Sequence, residues 1–381
     1  MKHKFLISIS VLGILLSNQS SAEIASGTNC GTTCSWSIDD DGVLTVWGTG
    51  ENGTGSVTAT PWNASDVTSL NLQEGLTTIS LKTFIGMSSV TGELKIPSTV
   101  RSIGSYAFSG MSSITGELKI PDGVTSIGAG AFYGMSSITG ELKIPSGLTS
   151  IEYGTFSDMS SVTGELKIPQ NVTSIGGCAF RNMSGVTGEL KIPENVTFIG
   201  SGAFQGMSSI TGELKIPDGV TTIEADVFKG MSSVTGELKI PNGVTSIGLR
   251  AFGGMSGLTS VVIPDSVEEI GLSAFGGVNI SSITCNEDNL ARFLARGGRL
   301  QSDAQIICTS GECEEALKGT QYAGLIGNVV YPRKEVGQTD GSVAIYKKGK
   351  LVGFKKKRIY TVDEVEFLSK PHGNKFKVRY K

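Results

Sequence analysis

The sequence predicts a repeat solenoid: short coils stacked on one another, with a parallel β-sheet on one face and turns or short 3-10 and irregular segments on the other. A small N-terminal β cap precedes the coils and a small C-terminal α+β module follows them. Three observations predict this. A 24-residue unit, MSSVTGELKIPSTVRSIGSYAFSG at Met87–Gly110, restarts at Met111, Met135, Met159, Met183, Met207 and Met231, with a 23-residue variant at Met255–Gly277. Self-similarity at one fixed period is the mark of stacked repeats. Glu93-Leu94-Lys95-Ile96 alternates polar and apolar, the period of a half-buried strand. Glycine is abundant, at 52 of 381 residues, while aromatics make up only 7%, which suits a turn-rich repeat better than one large globular core.

The elements follow in order. Residues 1–22 read as a secretory signal peptide. Lys2, His3 and Lys4 form its positive start, Phe5–Leu16 its apolar run, and Ser20-Ser21-Ala22 the small residues for cleavage. The apolar run is short for a membrane span, and no later stretch approaches one, so the mature chain is expected to lack a transmembrane segment. Export places the six cysteines in an oxidising compartment. Residues 23–62 form the N-terminal cap, a β-hairpin turning near Asp41-Gly42. Cys30 and Cys34 are close enough in sequence to pair within it. Residues 63–284 form the solenoid proper, about nine coils, with an incomplete tenth at Ile280-Ser-Ser-Ile283.

Each coil has one plan. Pro97 ends the strand because it has no N–H for the ladder. Val100 and Ile103 turn inward again, Ala107 and Phe108 plug the coil, and Met111 opens the next. One coil cannot offset the entropy of ordering its own backbone. Stacked coils can, because each buries its neighbour's open face.

Residues 285–340 read as a closing cap and linker. Asp288–Arg296 is a helix candidate, with Leu290, Phe293 and Leu294 on one face and Gly297-Gly298 stopping it. Cys285, Cys308 and Cys313 cluster here; two of the three are expected to pair, in a combination the spacing leaves open. Residues 341–381 read as a basic α+β module. It has a hairpin around Lys348-Gly349-Lys350, a helix opened by the capping box Thr361-Val-Asp-Glu364 and running to Leu368, and a last strand at Lys375–Tyr380. Lys347–Lys381 holds twelve Lys or Arg against three Asp or Glu, a local +9 within a chain of net charge −3. The rest of the chain is therefore acidic.

The strand-proline element Leu94-Lys95-Ile96-Pro97 and the Val-x-x-Ile-Gly-x-x-Ala-Phe run from Val100 to Phe108 resemble the BspA-like class of bacterial leucine-rich repeats. The likeness recurs from about residue 66 to 277. Cys34–Gly50 is similar to the cap that often precedes such arrays, and the Lys357–Glu364 and Lys377-Val-Arg-Tyr380 stretches are similar to C-terminal segments of other members. The resemblance implies a leucine-rich-repeat solenoid on a secreted or surface-displayed protein, with an adhesion-like role in binding host proteins or other cells. Two departures stand out. Met occupies a position often held by Cys or Asn, and the long units insert one residue before the strand.

Two columns of outward strand residues form the candidate binding face. One is Glu93, Glu117, Glu141, Glu165, Glu189, Glu213 and Glu237; the other is Lys95, Lys119, Lys143, Lys167, Lys191, Lys215 and Lys239. Like charges in each column repel, while in-strand and diagonal Glu–Lys pairs offset most of that repulsion. The face is nearly balanced and monotonous, so it suits a repetitive polymer or simply a self-neutralising, solvated surface. Two positions do vary between copies: the residue after the proline, and the pair before Ala107 and its equivalents (Ser-Tyr, Ala-Gly, Tyr-Gly, Gly-Cys, Ser-Gly, Ala-Asp, Leu-Arg). One-off specificity must come from such positions; drift at exposed sites is the plainer account. Cys178 falls in this column and is expected to be exposed.

Lys355, Lys356, Lys357 and Arg358, beside Phe354 and Tyr360, form a candidate patch for attachment to an anionic envelope component. Export argues against a nucleic-acid partner. No nucleophile elbow, phosphate loop or zinc spacing appears, and His3 and His372 are the only histidines. No catalytic residue, metal ligand or cofactor is therefore assigned. The Thr columns (Thr91, Thr115, Thr139 and Thr125, Thr149, Thr173) are regular enough to raise an ice-type surface, but are more simply turn residues satisfying backbone groups. The expected function is protein–protein or cell-surface binding, with an envelope-attached structural protein as the alternative.

Overall fold

The computed structural model describes residues 23–51 and 55–331, together with the strand backbones at 342–347, 350–356, 365–367 and 378–380. The expected signal peptide at 1–22, the expected capping box, and Lys357 and Arg358 lie outside the described residues. The chain divides into two compact units, Met1–Asn171 and Val172–Lys381.

In the first unit, strands Cys34–Asp39 and Val43–Gly48 form the expected hairpin. Asp39 Oδ1 accepts the N–H groups of Asp41 (3.1 Å) and Val43 (2.8 Å), so an aspartate side chain shapes the turn. Glu23–Gly27 adds an antiparallel strand on one side, and Ser69–Leu72 adds a parallel strand on the other. That parallel pairing is where the cap passes into coil stacking. Strands Gly92–Lys95, Ile114–Lys119, Ile138–Lys143 and Gly164–Lys167 then run parallel, with Lys95, Lys119, Lys143 and Lys167 in register.

Each coil has a second, shorter parallel strip, where turns or irregular segments were expected. It runs through Leu76–Ile79, Ser102–Ile103 and Ser126–Ile127. Two residues are too few to show a period, so only the neighbouring coil reveals this strip as strand. The third strip, through Ala107 and Phe108, is a run of turns, also hydrogen-bonded from coil to coil: Tyr106 N–H donates to Ala129 O (2.8 Å) and Phe108 N–H to Ala131 O (2.8 Å). This pairing satisfies backbone groups that a helix would otherwise have to pair internally.

Leu94, Val100, Ile103, Ala107, Phe108 and Met111 of a typical coil are all buried. The phenylalanines stack between coils, one ring per coil. Trp62, Phe84, Phe108, Phe132 and Phe156 follow one another at 5.4, 5.4, 5.6 and 5.8 Å between ring centroids. Trp36 of the hairpin meets Trp62 edge-on at 6.1 Å and covers the first ring.

The second unit repeats the plan, with strands Val186–Lys191, Ile210–Thr211, Gly236–Lys239 and Leu258–Val262. Its parallel sheet then runs past the repeats through Asn279–Cys285, Arg299–Cys308 and Val329–Val330. The residues expected only to close the array thus also extend it. The repeat signature is lost there, but Ile280, Ile283, Leu300 and Ile306 keep the inward positions filled. Helix α1, Glu287–Ala295, lies where the apolar face predicted it and is capped by Asn286, whose side chain accepts Asn289 N–H at 2.8 Å. Phe293 of α1 ends the stack Phe180, Phe204, Phe228, Phe252 and Phe275, tilted by 51° against the last ring. A short helix α2, Cys313–Leu317, and a 3-10 segment, Ala323–Asn328, complete the cap.

Beyond the cap, Ser342–Lys347 and Lys350–Lys356 pair as the expected hairpin. The helix expected to run to Leu368 is corrected: Val365–Phe367 is a strand, antiparallel to Val378–Tyr380. Val365 and Phe367 flank a single glutamate, a strand alternation, and a helix this short has little stability of its own.

Candidate interaction surface

The sheet face carries the two charged columns outward. All seven lysines are exposed; Glu117, Glu141, Glu189 and Glu237 are half-buried, and Glu93, Glu165 and Glu213 are exposed. Both expected kinds of pair occur. Within a strand, Lys239 lies 3.1 Å from Glu237 and Lys119 4.0 Å from Glu117. Diagonally, Lys143 lies 3.4 Å from Glu117 and Lys167 2.6 Å from Glu141. The Lys167 hydrogen bond, then its charge, holds the Glu141 carboxyl below the usual carboxylate range; Glu141 raises Lys167 in return. This face neutralises part of its own charge.

The threonine columns serve the backbone. Thr115 donates to Gly92 O (3.4 Å), Thr211 to Gly188 O (3.4 Å) and Thr259 to Gly236 O (3.1 Å). In the second column Thr125 donates to Arg101 O (3.4 Å) and Thr245 to Thr221 O (3.5 Å).

The turn face differs from coil to coil. The residue before the buried Ala107 position is left-handed throughout. Gly130, Gly154 and Gly202 occupy it at φ 61°, 60° and 66°, but Lys82, Tyr106, Cys178, Asp226, Arg250 and Ser273 hold the same conformation at φ 51–58°. A side chain there carries a penalty of roughly 1–2 kcal/mol that glycine avoids. Sister coils show that glycine is accepted, so each of the six substitutions keeps strain the fold does not require.

In the first unit this face is apolar and aromatic. Leu81 and Ile85 are 61% and 44% exposed, Tyr133 43% and Tyr153 57%. Three successive coils present one tyrosine each: Tyr106, Tyr133 and Tyr153. The Tyr106 ring lies over Gly130; a Cβ there would sit 2.4 Å from its Cε1 atom. In the second unit the same strip exposes Leu249 (41%) and Leu272 (58%) and adds a charged cluster. Asp226 pairs with Arg250 at 2.9 Å and with Lys229 at 3.4 Å. Cys178 is half-buried, with Sγ 3.8 Å from Ser201 O. The variable pairs in the sequence pointed to Tyr106, Tyr153, Cys178, Asp226 and Arg250. Ile85, Tyr133 and Lys229 lie outside those pairs, each directly after the invariant phenylalanine.

Cys30 is bonded to Cys34 and Cys308 to Cys313, leaving Cys285 as a buried thiol. Lys355 and Lys356 of the basic patch lie on the strand Lys350–Lys356. Two shallow hollows of about 550 and 430 Å³ flank the cap, one lined by Asn279, Arg299 and Tyr322, the other by Asn242, Asp265 and Thr309. Neither brings together an acid, a base and a nucleophile. No helix among the described residues is long and apolar enough to cross a membrane.

Parallel strands, one aromatic ring per coil and turns in place of helices define a leucine-rich-repeat solenoid. The chain belongs to the BspA type leucine rich repeat family, which it matches in six copies over residues 61–187, 110–235 and 187–293. Members of this class of repeat bind proteins and are typically not catalysts. No curated protein matches the chain in sequence. Among solved structures it is similar to a leucine rich cell surface protein from Faecalibacterium prausnitzii, at 19% identity over 83% of this chain and 96% of that one, TM-score 0.36. It is also similar to the pneumococcal vaccine antigen PcpA, at 15% identity over 81% and 97%, TM-score 0.40. A leucine-rich repeat protein from Bacteroides ovatus has 17% identity over 76% and 99%, TM-score 0.33.

Proposed function

We propose that this is an exported, surface-displayed binding protein without catalytic activity, which docks a protein partner on the turn face of its first unit. The observation that carries this is a strip in which a strained, half-buried Tyr106 lies among the exposed Tyr133 and Tyr153. Tyr106 keeps a left-handed backbone where Gly130 and Gly154 do without the strain. Backbone strain retained against an available alternative is a pointer to function. Leu81, Ile85, Tyr133 and Tyr153 surround it with exposed apolar surface. Tyrosine gives large contact area at low entropic loss, and it is enriched where protein interfaces hold most of their binding energy. An uncharged partner surface suits this strip; Lys82 is the one cation in its left-handed column.

The Glu–Lys columns serve in this reading as a solvated flank, open to contact with a repetitive surface polymer. The basic stretch around Lys355 and Lys356 serves attachment to an anionic envelope component.

The test uses the purified chain from residue 23 onward and immobilised extracellular-matrix proteins, with intact host cells as a second probe. Tyr106→Gly is expected to match or exceed the parent in thermal stability while binding falls at least about tenfold, the equivalent of roughly 1.4 kcal/mol. Undiminished binding by Tyr106→Gly and Tyr153→Ala, with loss on Lys143→Ala, would move the site to the sheet face. Cell fractionation with and without residues 341–381 tests attachment: retention unchanged by the deletion removes that role from the tail.

A further inference from the structure

The C-terminal cap contains three cysteines, of which the disulfide uses two. We infer that Cys285, Cys308 and Cys313 form a thiol–disulfide exchange site, in which Cys308 has two alternative partners and α2 is released when the bond passes from Cys313 to Cys285.

The geometry carries this. Strands Asn279–Cys285 and Arg299–Cys308 are parallel, with Ile283 opposite Ile306 and Cys285 opposite Cys308. Ile283, Ile306, Cys285 and Cys308 are all buried, so both cysteine side chains point to the inward side of the sheet. Register partners on neighbouring strands lie about 4.8 Å apart, within the Cα separation of about 4.4–6.8 Å that a disulfide spans. The existing Cys308–Cys313 bond has a Cα separation of 6.0 Å. Cys313 Sγ lies 4.0 Å from the carbonyl oxygen of Cys285, which places all three residues in one cluster.

The step balances without an added oxidant. The Cys285 thiol gives up its proton and its thiolate attacks Cys308 Sγ; the Cys308–Cys313 bond breaks, and the Cys313 thiolate leaves and takes up a proton. One disulfide and one thiol stand on each side. Before exchange, the disulfide ties α2 to the end of a strand. Afterwards it staples two neighbouring strands, and α2 is held by non-covalent contacts alone, among them packing through Leu317, the Glu312 N–H to Glu287 Oε2 bond (2.8 Å) and the Tyr331–Glu314 hydrogen bond. The sheet stays closed while α2 becomes free to lift with a thiol at its first residue. Burial, and secondarily Asp265, pushes the Cys285 thiol up to about 12, which keeps the thiolate scarce while the cap is shut. Exchange therefore waits on local opening around Cys285, and release of α2 follows it.

The experiment uses the full chain from residue 23. The wild type is held at pH 8 with a trace of reduced glutathione to open the cap disulfide, quenched in acid, labelled with N-ethylmaleimide under denaturing conditions and mapped by peptide mass spectrometry. Two populations are expected: Cys308–Cys313 with Cys285 labelled, and Cys285–Cys308 with Cys313 labelled. In parallel, Cys313→Ser in a Cys178→Ser background is refolded with oxidised glutathione, which accepts the two electrons. Circular dichroism checks its fold, and a Cys285–Cys308 bond is expected. Free Cys285 and Cys308 in a folded Cys313→Ser chain would overturn the proposal. If that variant does not fold, a wild type in which Cys313 is never labelled while Cys285 is labelled in every molecule would overturn it.

Discussion

The turn strips of the two units share one backbone and differ in what they show to solvent. Around Gly130 the first unit exposes tyrosines and aliphatic side chains. Around Gly202 the second unit sets an ion cluster of Asp226, Lys229 and Arg250 beside Cys178. Both keep left-handed non-glycine residues, Tyr106 in one and Cys178, Asp226 and Arg250 in the other. In the second unit the strain has a local return, because Asp226 and Arg250 pair across successive coils. Tyr106 makes no such charge pair; its ring covers Gly130 and faces outward with its neighbours. A solenoid can hold its core constant and vary this strip freely, since the strip's backbone pairs from coil to coil whatever the side chains are.

If the units differ only at the surface, deleting a core ring should harm both alike. Phe132→Ala and Phe228→Ala should each lose about 3–5 kcal/mol in denaturant titrations. A loss in one unit and not the other would show that the cores differ as well. A smaller effect separates two glycines of one column. Gly154→Ala should lose roughly 1–2 kcal/mol through its left-handed backbone alone, because nothing lies within 4 Å of the added carbon. Gly130→Ala should lose more, because the Tyr106 ring occupies that space. Equal losses would mean that Tyr106 moves aside without penalty. On the charged strip, Asp226→Ala should destabilise by about 1 kcal/mol, and the difference should shrink in high salt. Tyr153→Ala should leave stability unchanged. Smallest of all, Glu141→Gln on the sheet face should not move the thermal midpoint measurably. Its depressed carboxyl gives stability that is present above the unfolded-state value and fades as pH falls through the folded one, but the pair lies at the surface, where solvent screens most of it. A clear midpoint loss would promote the charged columns from flank to structural element.

Much of this was legible in the residues. The strand at Glu93-Leu94-Lys95, its proline stop and the buried Ala107-Phe108 plug follow from local pattern, because one 24-residue unit repeats until its inward positions are unambiguous; helix α1 follows from its own apolar face and glycine stop. The Ser102–Ile103 strip was not legible, since a two-residue strand has no period of its own. The sheet's continuation through Arg299–Cys308 lacked the repeat signature. The strand at Val365–Phe367 sat behind a capping box that suggested helix. For the candidate site, variation among copies marked the strip, but drift and function look the same in a list of residues. The left-handed φ values add what that list lacks, a penalty attached to each non-glycine choice.

The sequence by itself determined the coil plan, the register of its apolar positions and the charge balance of the sheet face. Those depend on period and composition, and every copy restates them. The tertiary structure alone decided which of Cys285, Cys308 and Cys313 are bonded, which turn residues sit at positive φ, and which tyrosines gather on one strip. The tyrosine strip depends on contacts about one coil apart, which come into being only when one coil is laid on the next; Cys308–Cys313 spans only five residues, but its choice over Cys285 depends on how the strands and α2 pack together.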